Sequence, residues 1–354
     1  MVSKKILMCG NEVIAEAAIG SGCRFYAGYP ITPQNELTAH MAKRMREVGG
    51  VFIQSESELA AINMVLGASA AGARAMTSSS SPGISLKQEG ISYLAGCQLP
   101  AVIVNIMRGG PGLGNIAPAQ SDYFQAVKGG GHGDYHLIVL APASLDEAAE
   151  LTHLAFDLAD KYRNPVMILG DGILGQMVEP IEEKKLRVTS YRLPVTKKWA
   201  LTGCKGRAPN VVRSFFIAEG ELEKHNELLQ KKYDKIKKDE ARFEETGVSG
   251  ASLVIVAYGT ASRICRAAIK AAKAAGHKVG MVRPITLWPF PGAPIRKAAE
   301  SAKTILVVEM SAGQFVEDVR LAVEGDAPVK FYGRTGGGVP TVEGVLGEIE
   351  KLVA

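Results

Sequence analysis

Along the first half of the chain, short apolar runs alternate with longer stretches of mixed polarity. The runs Ile6-Leu7-Met8-Cys9, Arg24-Phe25-Tyr26-Ala27-Gly28, Val51-Phe52-Ile53-Gln54, 74–78, Ala101-Val102-Ile103-Val104-Asn105-Ile106, 136–140 and 165–169 are four to six residues long. Within them apolar side chains follow one another instead of alternating with polar ones, the pattern of parallel strands covered on both faces. Between the runs, residues 11–21, 33–48, 57–71, 84–94 and 145–161 are expected to be helical. Strands interleaved with helices predict an α/β fold built on a doubly wound, mainly parallel sheet.

The pattern then changes twice. Residues 221–245 are dense in mixed charge, yet Leu222, Leu229, Ile236 and Phe243 recur every seven residues, with Tyr233 on the same side. That spacing predicts an amphipathic helix lying along its own domain or a partner. From residue 250 a second α/β series begins, with strands at 253–257, 279–282, 304–308 and 329–332 and an Ala-rich helix at 260–275. Pro284, Pro289, Pro291 and Pro294 are expected to punctuate a long turn. The expected organisation is therefore a first domain at 1–185, a linker with its helix at 186–249, and a smaller α/β domain at 250–354.

With 354 residues, 47% of them hydrophobic and 22% charged, the chain can bury a sizeable core and is not a disordered polymer. The formal charge of +5 is spread along the chain. It lacks the concentrated basic face with aromatic platforms that a nucleic-acid binder needs. No run approaches the ~18 apolar residues of a membrane span. The start, Met1-Val2-Ser3-Lys4-Lys5, has no signal-peptide apolar stretch, so a cytoplasmic location is expected. The five cysteines are odd in number, far apart and without a C-x-x-C pair. They predict reduced thiols, several of them in strands, and neither an iron–sulfur cluster nor a structural zinc on this chain.

Candidate chemistry gathers where strands end. Gly28-Tyr29-Pro30-Ile31-Thr32-Pro33 joins a strand to a helix at the edge where open α/β sheets bind ligands. Thr32 as N-cap and Pro33 as first helical residue would explain the same turn structurally. At Ser55-Glu56-Ser57-Glu58, either Ser55 and Glu58 form a capping box or Glu58 is a buried carboxylate with a tuned proton affinity. Arg108 ends a buried strand and suits a bidentate carboxylate partner, although a surface arginine is the plainer reading. The glycines after it do not match G-x-G-x-x-G, and Pro111 and Pro118 interrupt what should open as a helix. Gly170-Asp171-Gly172 could open a magnesium-diphosphate motif, but the downstream window Thr196-Lys197-Lys198-Trp199-Ala200 contains no asparagine, so a plain turn is expected. His132 stands alone in a glycine-rich loop with no matched acid or nucleophile.

Taken in order, the Tyr29 to Pro33 turn, Ser57-Glu58, Ser80-Ser81-Pro82-Gly83 and Arg108-Gly109-Gly110-Pro111 resemble the alpha, pyrimidine-binding subunit of the thiamine diphosphate-dependent 2-oxoacid:ferredoxin oxidoreductases. Val256-Ala257-Tyr258-Gly259-Thr260 and Arg283-Pro284-Ile285-Thr286-Leu287-Trp288-Pro289 are similar to that family's second domain, itself like the transketolase C-terminal domain. The resemblance implies that Glu58 hydrogen-bonds N1′ of the cofactor's aminopyrimidine, favouring the imino tautomer whose exocyclic nitrogen takes the thiazolium proton. It implies substrate contacts for Thr32 and Arg108, and places Tyr29, Pro30 and Ser81 beside the cofactor with Glu58. It also implies that Mg2+ and the diphosphate lie with a beta subunit. Iron–sulfur clusters would lie on beta and a ferredoxin-like delta subunit, with a gamma subunit completing the complex.

The implied reaction is oxidative decarboxylation of a 2-oxoacid with coenzyme A, with electrons passing to ferredoxin. The stretch from Arg108 to Pro118 looks more like branched-chain members, acting on 3-methyl-2-oxobutanoate, than like 2-oxoglutarate ones, which tend to carry Ser-Thr-Gly after the proline. Two other classes are weighed against this. A nucleotide- or flavin-binding module would need a glycine-rich phosphate turn at the first strand, where Gly10 is instead followed by Asn11-Glu12, an acid that would repel a diphosphate. A non-catalytic scaffold would have no need of Thr32, Glu58 and Arg108 together.

Overall fold

The computed structural model describes residues 4–186 and 197–353; Met1-Val2-Ser3 and Thr196, used above, lie outside them. The first part of the chain runs β1 (Lys5–Cys9), α1 (Gly10–Gly20), β2 (Phe25–Gly28), α2 (Asn35–Glu47), β3 (Val51–Gln54), α3 (Glu58–Ala70), β4 (Ala75–Ser79) and α4 (Ser81–Gly96). It continues through β5 (Ala101–Met107), α5 (Tyr123–Val127), β6 (Ile138–Leu140), α6 (Leu145–Tyr162), β7 (Pro165–Asp171), α7 (Gly172–Gln176) and β8 (Val178–Glu182). The remainder is α8 (Glu221–Asp239), β9 (Phe243–Thr246), β10 (Leu253–Val256), α9 (Gly259–Ala274), β11 (Val279–Pro284), β12 (Thr286–Trp288), α10 (Gly292–Ala299), β13 (Thr304–Glu309), α11 (Phe315–Val323), β14 (Val329–Gly333) and α12 (Val342–Val353).

The main sheet has seven strands in the order β12-β6-β7-β5-β4-β2-β3, parallel except where β12 meets β6. Its central strands β5 and β7 are buried along their whole length, which is why their sequences do not alternate. The chain leaves β2 for β3 at the edge, then returns across β2 to β4. Helices α1, α2 and α6 pack together, as do α3 and α4. Strands β2 and β4 are thus neighbours with their connections diverging. Such a divergence beyond the carboxyl ends of neighbouring strands is the place where doubly wound sheets bind ligands.

Close packing of α3 on α4 depends on Gly90, where a methyl group would come within 2.5 Å of Ile62 Cγ2. A second sheet, β14-β13-β10-β11-β9, is parallel apart from β9. Helices α9 and α12 cover one face and share an apolar cluster with Ile255, Leu306 and Val345. The other face joins the main core through Val254, Val256, Tyr258 and Phe315, so one hydrophobic core runs through both sheets.

Several expectations are corrected. The run at Ile6 to Cys9 stays out of the main sheet: β1 pairs antiparallel with β8, leaving Leu7 73% exposed. The start of α1 lies against α7, close enough that a methyl group at Gly10 would sit 1.9 Å from the Leu174 carbonyl oxygen, and this contact draws β1 to β8. The proline-punctuated turn contains β12, which extends the main sheet and stacks Trp288 on His136 at 4.5 Å. The charged helix stops at Asp239; Leu229, Tyr233 and Ile236 are buried, but Leu222 is largely exposed and Phe243 lies in β9. Among the cysteines only Cys9 is in a strand; Cys265 is on α9 and Cys97 caps α4.

Candidate active site

Four adjacent parallel strands, β3, β2, β4 and β5, end at the same edge, and each is followed by one of the predicted residues or motifs. After β2, Tyr29 and Pro30 are exposed. Gln34 N–H then donates to the Ile31 carbonyl at 3.1 Å, closing a turn that keeps Thr32 and Pro33 out of the helix. The expected cap is therefore wrong: α2 begins at Asn35, and Thr32 Oγ1 accepts from Asn35 Nδ2 at 3.2 Å. After β3 the expected box between Ser55 and Glu58 is also replaced. Ser57 caps α3, its Oγ accepting from Ala60 N–H at 3.2 Å. Glu58 is thereby released from capping and stands, buried, as the first residue of α3.

Helix α4 starts at Ser81, earlier than its apolar pattern indicates, and carries two halves of the site. On one side the Ser81 hydroxyl donates to Asp122 Oδ2 at 2.6 Å and accepts from Arg108 N–H at 3.0 Å. Asn105 Nδ2 donates to the same Asp122 oxygen at 2.9 Å, and Asn105 Oδ1 accepts from Ser81 N–H at 3.2 Å. Burial raises the pKa of Asp122, while these donors oppose the rise. The arrangement fixes the end of β5. From there the buried Arg108 side chain reaches the Thr32 carbonyl through Nη1 at 3.0 Å and the Leu113 carbonyl through Nη2 at 3.1 Å. Its Nε is buried and has no partner.

On the other side of α4, Gly83 faces Glu58. A methyl group there would lie 2.6 Å from Glu58 Oε1 and 2.1 Å from Ser79 Oγ, so only glycine admits the carboxylate. One turn further along α4, Lys87 is wholly buried although Leu86 beside it is 57% exposed. Burial lowers the Lys87 pKa from 10.5 to about 8, opposed by the charge of Glu58. The Lys87 Nζ, Ser79 Oγ, Ser80 Oγ and Gln88 Nε2 are buried without hydrogen-bond partners. Buried polar atoms are nearly always paired, so Ser79 Oγ, which shares the Gly83 surface with Glu58, is a group a polar ligand can complete.

The predicted residues are thus assembled unequally. Thr32, Arg108 and Ser81 are joined by hydrogen bonds, and Glu58 meets the same helix two residues beyond Ser81. Tyr29 and Pro30 stand in the turn that leads to Thr32, with no hydrogen bond to the others. Asp122, Asn105 and Lys87 are additional members. A charge at position 87, three residues after Ile84 and four before Ile91, interrupts the apolar face of α4 and was the signal for Lys87. Asp122 is one of several acids in polar segments and carries no such signal. Gly170-Asp171-Gly172 is a cap: Asp171 ends β7 and accepts from Ile173 N–H at 2.9 Å and Leu174 N–H at 3.3 Å. A cleft of about 920 Å³ between α8 and residues 133–136 contains none of the site residues.

The class defined by this edge is a thiamine diphosphate-binding α/β fold. The sequence profile described as "pyruvate flavodoxin/ferredoxin oxidoreductase, thiamine diP-binding" matches residues 16–244, and that of pyruvate:ferredoxin oxidoreductase core domain II matches 251–345. The chain belongs to the 2-oxoacid:ferredoxin oxidoreductase family and is an oxidoreductase subunit that acts within a complex. It is 51% identical to the ketoisovalerate oxidoreductase subunit VorB of Methanothermobacter marburgensis, over 97% of this chain and 96% of that one. With the 2-oxoglutarate synthase subunit KorA of Methanothermobacter thermautotrophicus, identity is 36% over 99% of this chain and all of the other.

Among solved structures, the 2-oxoglutarate:ferredoxin oxidoreductase of Magnetococcus marinus, with 2-oxoglutarate, coenzyme A and succinyl-CoA bound, superimposes with a TM-score of 0.88 at 28% identity. The match covers 99% of this chain and 66% of that one. A split-gene transketolase, described as an inactive beta4 tetramer, shares the fold with a TM-score of 0.60 at 15% identity over 98% of each chain. The site suits an aminopyrimidine: a carboxylate, buried polar groups lacking partners, and a glycine where any side chain would intrude. No helix among the described residues is long and apolar enough to cross a membrane.

Proposed function

We propose that this chain is the alpha subunit of a branched-chain 2-oxoacid:ferredoxin oxidoreductase. It contributes the pyrimidine side of an active site that oxidises 3-methyl-2-oxobutanoate with coenzyme A to an acyl-CoA and CO2. The observation that carries the reading is the buried Glu58 carboxylate, released from capping by Ser57 and facing polar atoms that lack partners. When bound, thiamine diphosphate supplies the carbon nucleophile and electron sink that a 2-oxoacid needs to lose CO2. Glu58 holds a proton at N1′ of its aminopyrimidine, which lets the exocyclic nitrogen act as the internal base. Tyr29, Pro30 and Ser81 border the cofactor in this reading.

Arg108 binds the substrate carboxylate. Its Nη groups anchor the guanidinium plane on Thr32 and Leu113 and keep N–H donors in reserve, as does the unpartnered Nε. The Thr32 hydroxyl faces the oxygen of the reacting carbonyl. Leu113 and Ile116, exposed on the Arg108 loop, favour an aliphatic substrate tail over a second carboxylate. Mg2+ and the diphosphate are held by a beta subunit, and clusters on beta and a ferredoxin-like delta subunit pass electrons to ferredoxin. The subunit named for ketoisovalerate, at 51% identity, supports this substrate over 2-oxoglutarate, whose synthase subunit stands at 36%.

The test is viologen reduction by the assembled complex, with coenzyme A and a panel of 2-oxoacids, for wild type and Glu58→Gln. Branched-chain acids should be preferred, and Glu58→Gln should assemble but lose about 10²-fold or more of its turnover. Preference for 2-oxoglutarate refutes the substrate assignment. Near-normal turnover in Glu58→Gln refutes the site.

A further inference from the structure

The Arg108 guanidinium takes one of its two anchors, the Leu113 carbonyl, from the exposed loop between Arg108 and Pro118. An exposed loop has few buried contacts of its own, so a loop that fixes a ligand-binding group needs support from elsewhere. The two ends of this loop are secured first. Arg108 and Pro118 form an isolated β-bridge, and Gly109 N–H donates to the Ala117 carbonyl at 2.9 Å. Beyond Pro118, the buried Gln120 is bonded to the strands of the second sheet. Its N–H and Nε2 donate to the Met310 and Tyr258 carbonyls at 2.8 and 3.0 Å, and its Oε1 accepts from Met310 N–H at 3.0 Å. Tyr123 Oη then donates to Asp318 Oδ2 at 2.6 Å.

The middle of the loop is held by Asn115. Its N–H donates to the Gly109 carbonyl at 2.9 Å, and its Oδ1 accepts from Ala117 N–H at 3.0 Å. Its Nδ2 leaves the loop and donates at 2.9 Å to the carbonyl of Gly336, 221 residues further along the chain in the segment joining β14 to α12. Glycines permit this approach. A methyl group at Gly337 would lie 2.4 Å from Ala117 Cβ, and one at Gly109 would lie 2.6 Å from Asn115 Oδ1 and 3.2 Å from Gly337 N. Gly337 also has a φ of +89°, which side chains disfavour.

We propose that Asn115 is a positioning residue for Arg108: by tying the 108–118 loop to Gly336 it holds the Leu113 carbonyl where it fixes the guanidinium. The segment after β14 thereby takes part in binding the 2-oxoacid carboxylate. The inference rests on the reading of Arg108 as the carboxylate partner. A guanidinium anchored through both Nη atoms is already oriented for a paired carboxylate. One anchored on Thr32 alone can turn, and ordering it on binding weakens affinity. Loss of the tie leaves the charge in place and removes its orientation. Among the described residues Asn115 makes no hydrogen bond to Glu58 or Ser81, so the effect falls on the substrate and not on the cofactor.

The test uses the assembled complex, with viologen reduction measured against 3-methyl-2-oxobutanoate and coenzyme A, and thiamine diphosphate affinity measured alongside. In Asn115→Ala and Gly337→Ala, KM for the 2-oxoacid should rise roughly three- to tenfold, the worth of one hydrogen bond, with a smaller fall in kcat. Thiamine diphosphate affinity should stay at the wild-type value. Adding Ala117→Gly to Gly337→Ala removes the methyl group that the new side chain meets and should restore part of the KM. Asn115→Ala combined with Arg108→Lys should be no worse than Arg108→Lys alone, because Asn115 acts through the guanidinium. An unchanged KM in Asn115→Ala, or full multiplication of its effect with that of Arg108→Lys, overturns the proposal. A raised KM in Asn115→Ala with a normal one in Gly337→Ala overturns the part given to Gly336. Failure of the reading of Arg108 would appear instead as normal kcat/KM in Arg108→Lys itself.

Discussion

The two ends of the Ser81 to Lys87 segment make contrasting surroundings from the same helix. At Ser81 the hydroxyl, Asn105, Asp122 and the Arg108 backbone close a network within one chain. Around Glu58 and Lys87, six residues on, buried polar atoms have no partners. A satisfied network holds its geometry without a ligand, whereas an unsatisfied one costs stability until a ligand completes it. The Ser81 side is therefore held by bonds within the chain, whereas the Glu58 side carries buried polar atoms without partners.

The largest expected effect is on the unsatisfied side. The unfolded chain holds the Lys87 proton up to about pH 10.5 and the folded chain only to about pH 8, so folding releases it in that window. Stability must then rise with pH between those values, since the unfolded state binds more protons, and the burial penalty is fully present below about pH 8. Denaturant titrations of wild type and Lys87→Met should show their unfolding free energies change relative to each other by about 3 kcal/mol across the window. Parallel pH profiles would mean that the lysine is solvated.

Next in size is Arg108→Lys, on the boundary between the two sides. Lysine keeps the charge but loses the planar fork that spans Thr32 and Leu113, so substrate positioning suffers while the Ser81 network survives. A fall in kcat/KM of roughly 10- to 100-fold for every 2-oxoacid, with cofactor binding intact, is expected. Weakened cofactor binding with normal kcat/KM would move Arg108 to the cofactor.

The smallest effect belongs to Ser57→Ala. Loss of the cap should cost about 1 kcal/mol and leave turnover close to wild type, because Ala60 N–H loses its acceptor while Glu58 stays in place. Comparing it with Glu58→Gln separates capping from chemistry at neighbouring residues. A large loss of turnover in Ser57→Ala would show that the helix start itself, rather than the carboxylate, sets the activity.

Local sequence was sufficient where chemistry and periodicity coincide. Consecutive apolar residues in β5 and β7 defined buried parallel strands, and the order Thr32, Glu58, Arg108 after successive strands placed them on one edge. It was insufficient at helix starts. Ser55, Ser57 and Ser80 are all competent caps, and only the path of the chain selects Ser57 for α3 while bringing α4 forward to Ser81. Strand pairing was equally illegible for β1 and β12. Both are short, and their partners, β8 and β6, are separated from them by more than a hundred residues.

The sequence by itself determined the α/β class and the likeness to a thiamine diphosphate enzyme, because these depend on residue type and local spacing. Tertiary structure alone decided that Glu58 is free of capping, that Arg108 is bound to Thr32, and that Lys87 lies buried beside the carboxylate. The last of these follows from how α3 and α4 approach. That approach is set by Gly83 and Gly90 meeting side chains distant along the chain, a relation between surfaces that no local pattern of residues encodes.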